Sequence, residues 1–354
     1  MSLNFEHVTL GQRVLFGSGK AAENLAAEVE RFGARKVMVI ASEFEAPIAK
    51  KVTAGVSVAL DYDDVAPHVP IEKAEKARAA AQEHGIDLLV CVGGGSTTGL
   101  AKAIALTSGL PIIAVPTTYA GSEATNVWGL TEAARKSTGI DDRVLPATVI
   151  YDAELTLSLP ADLSVASGLN ALAHCVDSMW GPRVDPINQA LAAEGIRALN
   201  QGLPAVKHDP SGPEGREQAL YGAYLAAVAF ASAGSGMHHK ICHVLGGTWN
   251  MPHAQTHATV LPYVLAFNAP EAPHAANRIA AAFGTNDAVE GLNKLRATLD
   301  APKALKDYGF TEDNIPEAVD IILPIIPASN PRTPTEQNLT ELLRAATAGT
   351  TPGL

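Results

Sequence analysis

The chain has 354 residues, a length that suits two domains better than one. Its composition, 47% hydrophobic but only 5% aromatic, is typical of a folded protein with an ordinary core and excludes a disordered chain. The formal net charge of −11 at pH 7 disfavours nucleic acid or an anionic membrane as a partner. It also means that an anionic small molecule would need local cations in order to bind.

The distribution of cysteines and apolar residues indicates a cytoplasmic protein. Cys91, Cys175 and Cys242 are too few and too scattered for a disulfide framework, which fits a reducing compartment. The N-terminus lacks the basic flank and apolar stretch of a signal peptide. No run of about eighteen apolar residues predicts a membrane span.

The first 150 or so residues alternate short apolar runs with stretches rich in Ala, Glu and Lys. Predicted helices at 21–33 and 71–85 end on glycine, a usual helix stop. Five nearly continuous apolar runs predict parallel strands buried on both faces: 36–41, 56–62, 88–92, 111–116 and 147–152. This alternation predicts a doubly wound, Rossmann-like α/β domain over residues 1–155.

The hydrophobic pattern of the sequence changes after Asp152, where strand-like runs stop and Ala-rich helical periodicity begins. Residues 156–354 are therefore predicted to form an all-helical domain, with the boundary near 152–160.

Two polar loops follow adjacent predicted strands. Gly93, Gly94 and Gly95 lie between a strand and a helix, where bare backbone N–H groups favour an anion such as a pyrophosphate. The run is not the G-x-G-x-x-G fingerprint, and a glycine run is also an ordinary turn. The second loop, 117–122, also follows a strand end, where parallel sheets bind ligands. Together the two loops favour a bound nucleotide over two incidental turns.

Ser42 follows the first predicted strand, where NAD-binding proteins often carry a carboxylate for the ribose hydroxyls. A serine carries no charge to repel a 2′-phosphate. A turn or helix-cap role is the alternative from local sequence.

Five of the eleven histidines lie within residues 236–257. Asn170 and His174 are four residues apart, as are His239 and His243, so each pair shares one helix face; His253 follows in a loop. Imidazoles gathered in this way indicate a site for Zn, Fe, Ni or Cu. The alternative for any one of them is a hydrogen-bonded core or surface residue, which is our interpretation of His238 and His257. Because Asn170 has no charge, the pocket has the form of a metal site without the anion that retains a metal.

Five motifs carry a resemblance to a known family: GGGSTTGLAKAIAL (93–106), PTTYAGSE (116–123), LPATVIYDAELTLSLP (145–160), SGLNALAH (167–174) and HHKICHVLGGTWNMPH (238–253). Their order and spacing resemble those of the iron-containing (group III) alcohol dehydrogenase superfamily over essentially the whole chain. Metal-dependent members typically read P-T-T-x-G-T-G-S-E, and they carry Asp where this chain has Gly99 and Asn170. All three departures resemble the branch of the superfamily that reduces maleylacetate.

The resemblance implies a dehydroquinate synthase-like architecture, with the active site in the cleft between the two domains. It implies reduction of the enone C=C of maleylacetate to 3-oxoadipate with NADH or NADPH, in aromatic-compound catabolism, by a homodimer. By motif matching, the cofactor-binding residues are Ser42, Gly93, Gly94, Gly95, Ser96, Thr117, Thr118, Ser122 and Lys136. His174, His239 and His253 match metal ligands of the dehydrogenase relatives, with Asn170 at the fourth position. His243 matches a histidine beside the nicotinamide.

Reduction of an enone does not demand a metal, since hydride addition gives an enolate that hydrogen-bond donors can stabilise. We therefore expect no metal. His243 and His253 are hypothesised to stabilise the enolate and protonate the α-carbon, with Tyr119 as a further donor. The vacated pocket of Asn170, His174 and His239 is expected to bind a substrate carboxylate or the enolate oxygen, helped by cationic imidazoles.

Three alternatives remain open. In a metal-dependent alcohol or polyol dehydrogenase, Asn170 would still coordinate the ion. A non-catalytic nucleotide sensor would keep the fold and lose the chemistry. A plain metal-binding module would not need the nucleotide-binding half.

Overall fold

The chain divides into two compact units, and the computed structural model describes residues 4–132 and 135–351. One unit is Leu10–Leu159; the other runs from Pro160 onward and includes the start of the chain through Thr9.

The first unit is built on a six-stranded parallel sheet with the strand order β1-β8-β5-β4-β2-β3. A separate antiparallel pair is formed by β6 and β7. The strands are β1 (Arg13–Phe16), β2 (Val37–Ile40), β3 (Val58–Tyr62), β4 (Leu88–Gly93), β5 (Ile112–Pro116), β6 (Val127–Glu132), β7 (Arg135–Ile140) and β8 (Thr148–Tyr151). The helices are α1 (Ala21–Phe32), α2 (Ala46–Val52), α3 (Ile71–Glu83) and α4 (Gly95–Ser108).

Both faces of this sheet are buried, because alternate residues of each strand point to opposite sides. Met38 and Leu89 pack on one side with α3 and α4. Val39 and Val90 pack on the other side with α1 and α2. The predicted doubly wound α/β fold is thus confirmed, and the segments after β2, β4 and β5 begin at one edge of the sheet.

The second unit is helical in the part of the chain that is described. Its helices are α5 (Ala161–Ser178), α6 (Pro186–His208), α7 (Pro213–Ala233), α8 (Met237–Trp249), α9 (His253–Asn268), α10 (Pro273–Phe283), α11 (Ala288–Leu299), α12 (Ile315–Ile322) and α13 (Glu336–Ala348). This confirms the predicted all-helical second half.

Glycines set the close packing of α6 against α7. A Cβ at Gly202 would lie 2.6 Å from the backbone N of Ala219, and one at Gly222 would lie 3.0 Å from the carbonyl of Gly195. The two backbones therefore meet where side chains are missing. Helix α5 is buried along nearly its whole length, and its polar residues Asn170 and His174 are buried with it.

Among the described residues, no single helix is both long and apolar enough to span a membrane. Helices α7 and α8 pass that test only when taken as a pair, and the pair is bent by 99°.

Candidate active site

The glycine loop forms the turn from β4 into α4. β4 ends at Gly93, Gly94 is the N-cap, and α4 begins at Gly95. A Cβ at Gly93 would overlap the carboxyl group of Glu45, and one at Gly94 would lie 3.1 Å from Cγ2 of Thr118. Glycine is needed at both positions, because neighbouring side chains already occupy the space that a Cβ would fill.

The loop after β5 lies against the glycine loop. Thr117 donates its backbone N–H to the carbonyl of Gly93 at 3.2 Å, and Tyr119 is fully buried. Gly121, with φ of 79°, leads into a short 3₁₀ turn that begins at Ser122. The structure thus brings together most of the predicted cofactor residues. Lys136 lies in β7, but its side chain is outside the described part of the chain.

Glu45 joins Ser42 to both loops, and the sequence did not single it out. Its carboxylate accepts hydrogen bonds from Ser42, from the Gly94 N–H and from the hydroxyls of Thr97 and Thr117. Ser42 is therefore linked to the glycine loop through a carboxylate three residues further along the chain.

Gly99 stands where metal-dependent relatives carry Asp. A Cβ at this position would lie 2.8 Å from Cγ2 of Val69, so a longer side chain requires Val69 to move. Val69 itself has a positive φ of 49°, a backbone conformation that is unusual for a β-branched residue. The local packing is thus adapted to glycine.

A buried lysine ties α4 to the following segment of this unit. Lys102 donates to the carbonyls of Thr125 and Val127, both at 2.8 Å. Burial lowers the pKa of Lys102 to about 7. Burial also raises the pKa of Glu123, which accepts a hydrogen bond from Tyr151 at 2.8 Å.

Six histidines of the second unit form one cluster from three helices. Asn170 and His174 lie on α5, while α8 carries His238, His239 and His243 and α9 carries His253 and His257. The His174 ring stacks on His239 with centroids 4.7 Å apart and an interplanar angle of 11°. The rings of His243 and His253 have centroids 6.5 Å apart. The predicted spacing on two helix faces thus does bring these side chains together.

His257 belongs to the same cluster, although its sequence suggested only a structural residue. Its ring centroid is 4.4 Å from that of His253 and 4.8 Å from that of His239. Its Nδ1 is 2.9 Å from Nε2 of His238, and its own Nε2 is buried without a hydrogen-bond partner among the described residues. The signal was available, because His253 and His257 are four residues apart on α9.

Asp177 is the buried carboxylate that the sequence interpretation missed. It accepts backbone N–H groups from Gly236, His238 and His239, and lies 2.7 Å from Nδ1 of His239. A Cβ at Gly236 would lie 2.6 Å from Oδ1 of Asp177, so the glycine permits this approach to the start of α8. The N–H groups at the start of α8 and the imidazole together compensate the buried charge.

Burial controls the protonation of this cluster. It lowers the pKa of His174 to about 4, holds that of His239 well below its usual value, and raises that of Asp177 to about 7. In the free protein these shifts favour neutral imidazoles at His174 and His239 near pH 7. Facing the Asp177 carboxylate, neutral His239 carries its proton on Nδ1 and presents a lone pair at Nε2.

The four residues at the predicted metal positions form a donor set without charge. Asn170 and the three imidazoles of His174, His239 and His253 supply no negative charge, and Asp177 is engaged with Nδ1 of His239 rather than facing the pocket. Within residues 4–132 and 135–351, the three histidines do not bring their ligating atoms within 4.8 Å of one another.

One trio does meet that distance: His238, Cys242 and His257. Its Cys242 Sγ lies 3.6 Å from Nε2 of His238, and all three side chains are buried. Burial raises the pKa of the Cys242 thiol well above its usual value in the ion-free protein. Nε2 of His238 also lies 2.9 Å from Nδ1 of His257, so the trio is linked through His238.

Two features point to one class of protein: the nucleotide-type loops of the first unit and the histidine cluster of the second. This class is the nucleotide-dependent dehydrogenases that have one α/β domain and one helical domain. Residues 11–153 match the family model "Iron-containing alcohol dehydrogenase", and residues 164–347 match "Fe-containing alcohol dehydrogenase family, C-terminal". The chain belongs to the iron-containing alcohol dehydrogenase family.

Similar proteins cover the chain nearly end to end. A maleylacetate reductase of Delftia acidovorans is 43% identical over 99% of both chains. Among solved structures, an iron-containing alcohol dehydrogenase from Corynebacterium glutamicum is 67% identical, with a TM-score of 0.98 and 99% coverage of each chain. Maleylacetate reductase from Agrobacterium tumefaciens is 37% identical, with a TM-score of 0.94, and covers 99% of this chain and 100% of its own.

Proposed function

We propose that this protein reduces the C=C bond of maleylacetate to give 3-oxoadipate, with NADH or NADPH as the hydride donor. The observation that carries the proposal is Asn170, a neutral amide at the fourth position of a histidine pocket in a chain 43% identical to a maleylacetate reductase. In this proposal the enzyme is a cytoplasmic homodimer, and its free, buried cysteines are compatible with a reducing compartment.

The substrate chemistry suits a site without a metal. Hydride from the reduced nicotinamide adds to the alkene carbon β to the ketone, and the electron pair of the C=C bond moves to give an enolate. A proton is then added to the α-carbon, which completes the saturated product. An alkoxide concentrates its charge on one oxygen and benefits from a Lewis acid, whereas an enolate is less basic and is stabilised by aimed hydrogen-bond donors.

The cofactor half of the proposal uses the two loops of the α/β unit. The N–H groups at the start of α4, together with Ser96, Thr117, Thr118 and Ser122, would bind the phosphates of the dinucleotide. Ser42, which follows β2 by two residues, would face the ribose without repelling a 2′-phosphate, so both NADH and NADPH are proposed as cofactors. Lys136 is proposed as a further cofactor contact.

The substrate half uses the histidine cluster. His243 and His253 are proposed to hold the enolate oxygen and deliver the proton, with Tyr119 as an additional donor. Asn170, His174 and His239 would receive a substrate carboxylate. Because neutral His239 presents a lone pair at Nε2, carboxylate binding there needs a proton taken up from solvent and supported by Asp177 at 2.7 Å.

The test is oxidation of NADH and of NADPH by maleylacetate, using protein dialysed against a strong chelator and analysed for residual metal. We expect full activity with metal well below one ion per chain, and 3-oxoadipate as the product. Asn170→Asp is the matched variant: it restores the anionic ligand, so we expect it to take up added iron or zinc and to reduce maleylacetate more slowly. Activity that disappears on chelation and returns with iron or zinc would overturn the metal-free proposal and favour the alternative in which Asn170 coordinates an ion, as in a metal-dependent alcohol dehydrogenase.

A further inference from the structure

The carboxylate of Glu45 contacts the glycine loop, and both of its oxygens accept hydrogen bonds. Oε1 accepts the backbone N–H of Gly94 at 2.9 Å and the hydroxyl of Thr117 at 3.2 Å. Oε2 accepts the hydroxyl of Thr97 at 3.0 Å, and the hydroxyl and N–H of Ser42 at 2.8 and 3.3 Å. An ionised carboxylate has about four lone-pair sites, so this one is saturated.

Apart from the two contacts with Ser42, these hydrogen bonds are long-range, although a local alternative exists. Glu45 occupies the N-cap position of α2, where an acidic side chain can bond the free N–H groups of its own helix. It makes no such bond. Instead, it reaches to donors 49, 52 and 72 residues away in sequence. The glycine loop therefore behaves in the free protein as an anion site with an internal occupant.

The same donors are those that the proposed function assigns to the dinucleotide phosphates. An N–H at the start of a helix and two threonine hydroxyls are suited to phosphate oxygens, and one set of donors cannot serve two anions at once. We propose that Glu45 is an internal competitor of the cofactor phosphates and that it sets the affinity for NADH and NADPH. This inference rests on the proposed nucleotide-dependent function.

The competition has a defined signature. When only the undocked form accepts the cofactor, the measured Kd equals the intrinsic Kd divided by the undocked fraction. The phosphates that Glu45 opposes are common to both cofactors. Removing the carboxylate is therefore expected to strengthen the binding of both NADH and NADPH, whereas a residue that reads only the ribose would strengthen the binding of one of them.

The experiment is titration of NADH and NADPH by nucleotide fluorescence, without substrate, against wild type, Glu45→Ala and Glu45→Gln. We expect Glu45→Ala to lower both dissociation constants by about fivefold or more, and Glu45→Gln by a smaller factor, because the amide keeps one acceptor oxygen without the charge. Glu43→Ala is the matched control: it removes the same charge from an exposed side chain two residues earlier, and we expect no change. Should Glu45→Ala unfold, as judged by circular dichroism, Glu45→Gln decides.

The outcomes separate this inference from the proposed function. If wild type binds NADH and neither Glu45 variant binds more tightly, Glu45 is not a competitor and the proposed function stands. A variant that binds NADH more weakly than wild type, or that binds only NADPH more tightly, would place Glu45 at the ribose and overturn the proposed competition. If wild type and both variants bind neither dinucleotide, the proposed function and this inference both fail.

Discussion

Replacing His174 tests whether the histidine cluster is neutral in the folded protein. Burial lowers the pKa of His174 to about 4, against an ordinary value of 6.5. Between these two pH values the unfolded chain binds the proton and the folded chain does not, so stability falls as the pH drops. From those two pKa values, wild type loses about 2 kcal/mol at pH 5 and about 3 kcal/mol below pH 4 through this one group, relative to pH 8.

Two variants isolate that contribution. His174→Phe keeps a ring against Phe230 and His239, whose centroids lie 4.7 Å from that of His174, and His174→Gln keeps polarity without the ring. Each differs from wild type in absolute stability through packing, but neither titrates at this position. Urea unfolding at pH 8 and pH 5 should show both variants losing about 2 kcal/mol less than wild type on acidification. Equal losses in wild type and both variants would refute the assignment of a neutral, buried His174.

Two further changes address the residues around the reacting centre. Asp177→Asn should lower kcat/KM for maleylacetate at least roughly tenfold, because His239 loses the carboxylate that orients it. Asp162→Asn, on the exposed part of the same helix, is the control and should leave kcat/KM unchanged. Equal steady-state parameters for the two variants would show that Asp177 does not belong to the site. His243→Ala and His253→Ala should each slow hydride transfer in single-turnover kinetics by about a hundredfold, and near-normal rates in both would show that neither holds the enolate.

The strands of the parallel sheet could be predicted because burial on both faces leaves a near-continuous apolar run, as in β4 and β5, whose residues are all buried. Strand β1 and the β6–β7 hairpin lack that signal. The sequence of β1 is only RVLF, and neither β6 (VWGLTE) nor β7 (RKSTGI) is a continuous apolar run. Their pairing depends on register and on neighbours distant in sequence, which periodicity does not report.

The residues of the candidate site could likewise be predicted only in part from the sequence. Spacing four apart on a helix predicted that His239 and His243 share a face, and their ring centroids lie 5.9 Å apart. Asp177 and Glu45 were missed, since each acts across the fold on groups about 50 residues away or more. Such contacts depend on where helices begin relative to one another, and a single sequence carries no direct record of that.

Asp177 also explains how one pocket can suit either a metal or a proton. A carboxylate on Nδ1 of His239 directs an Nε2 lone pair into the pocket, which is what a metal ligand needs. If maleylacetate is the substrate, the same lone pair can instead take a proton when a dianion arrives, because Asp177 behind the ring and the substrate in front both favour the charged imidazole. In a protein with a net charge of −11, that proton supplies a local cation in addition to Lys240, whose charge also acts on Asp177. In the proposed metal-free enzyme, Asn170 supplies no anionic ligand, and the pair of His239 and Asp177 remains to compensate the charge of the substrate.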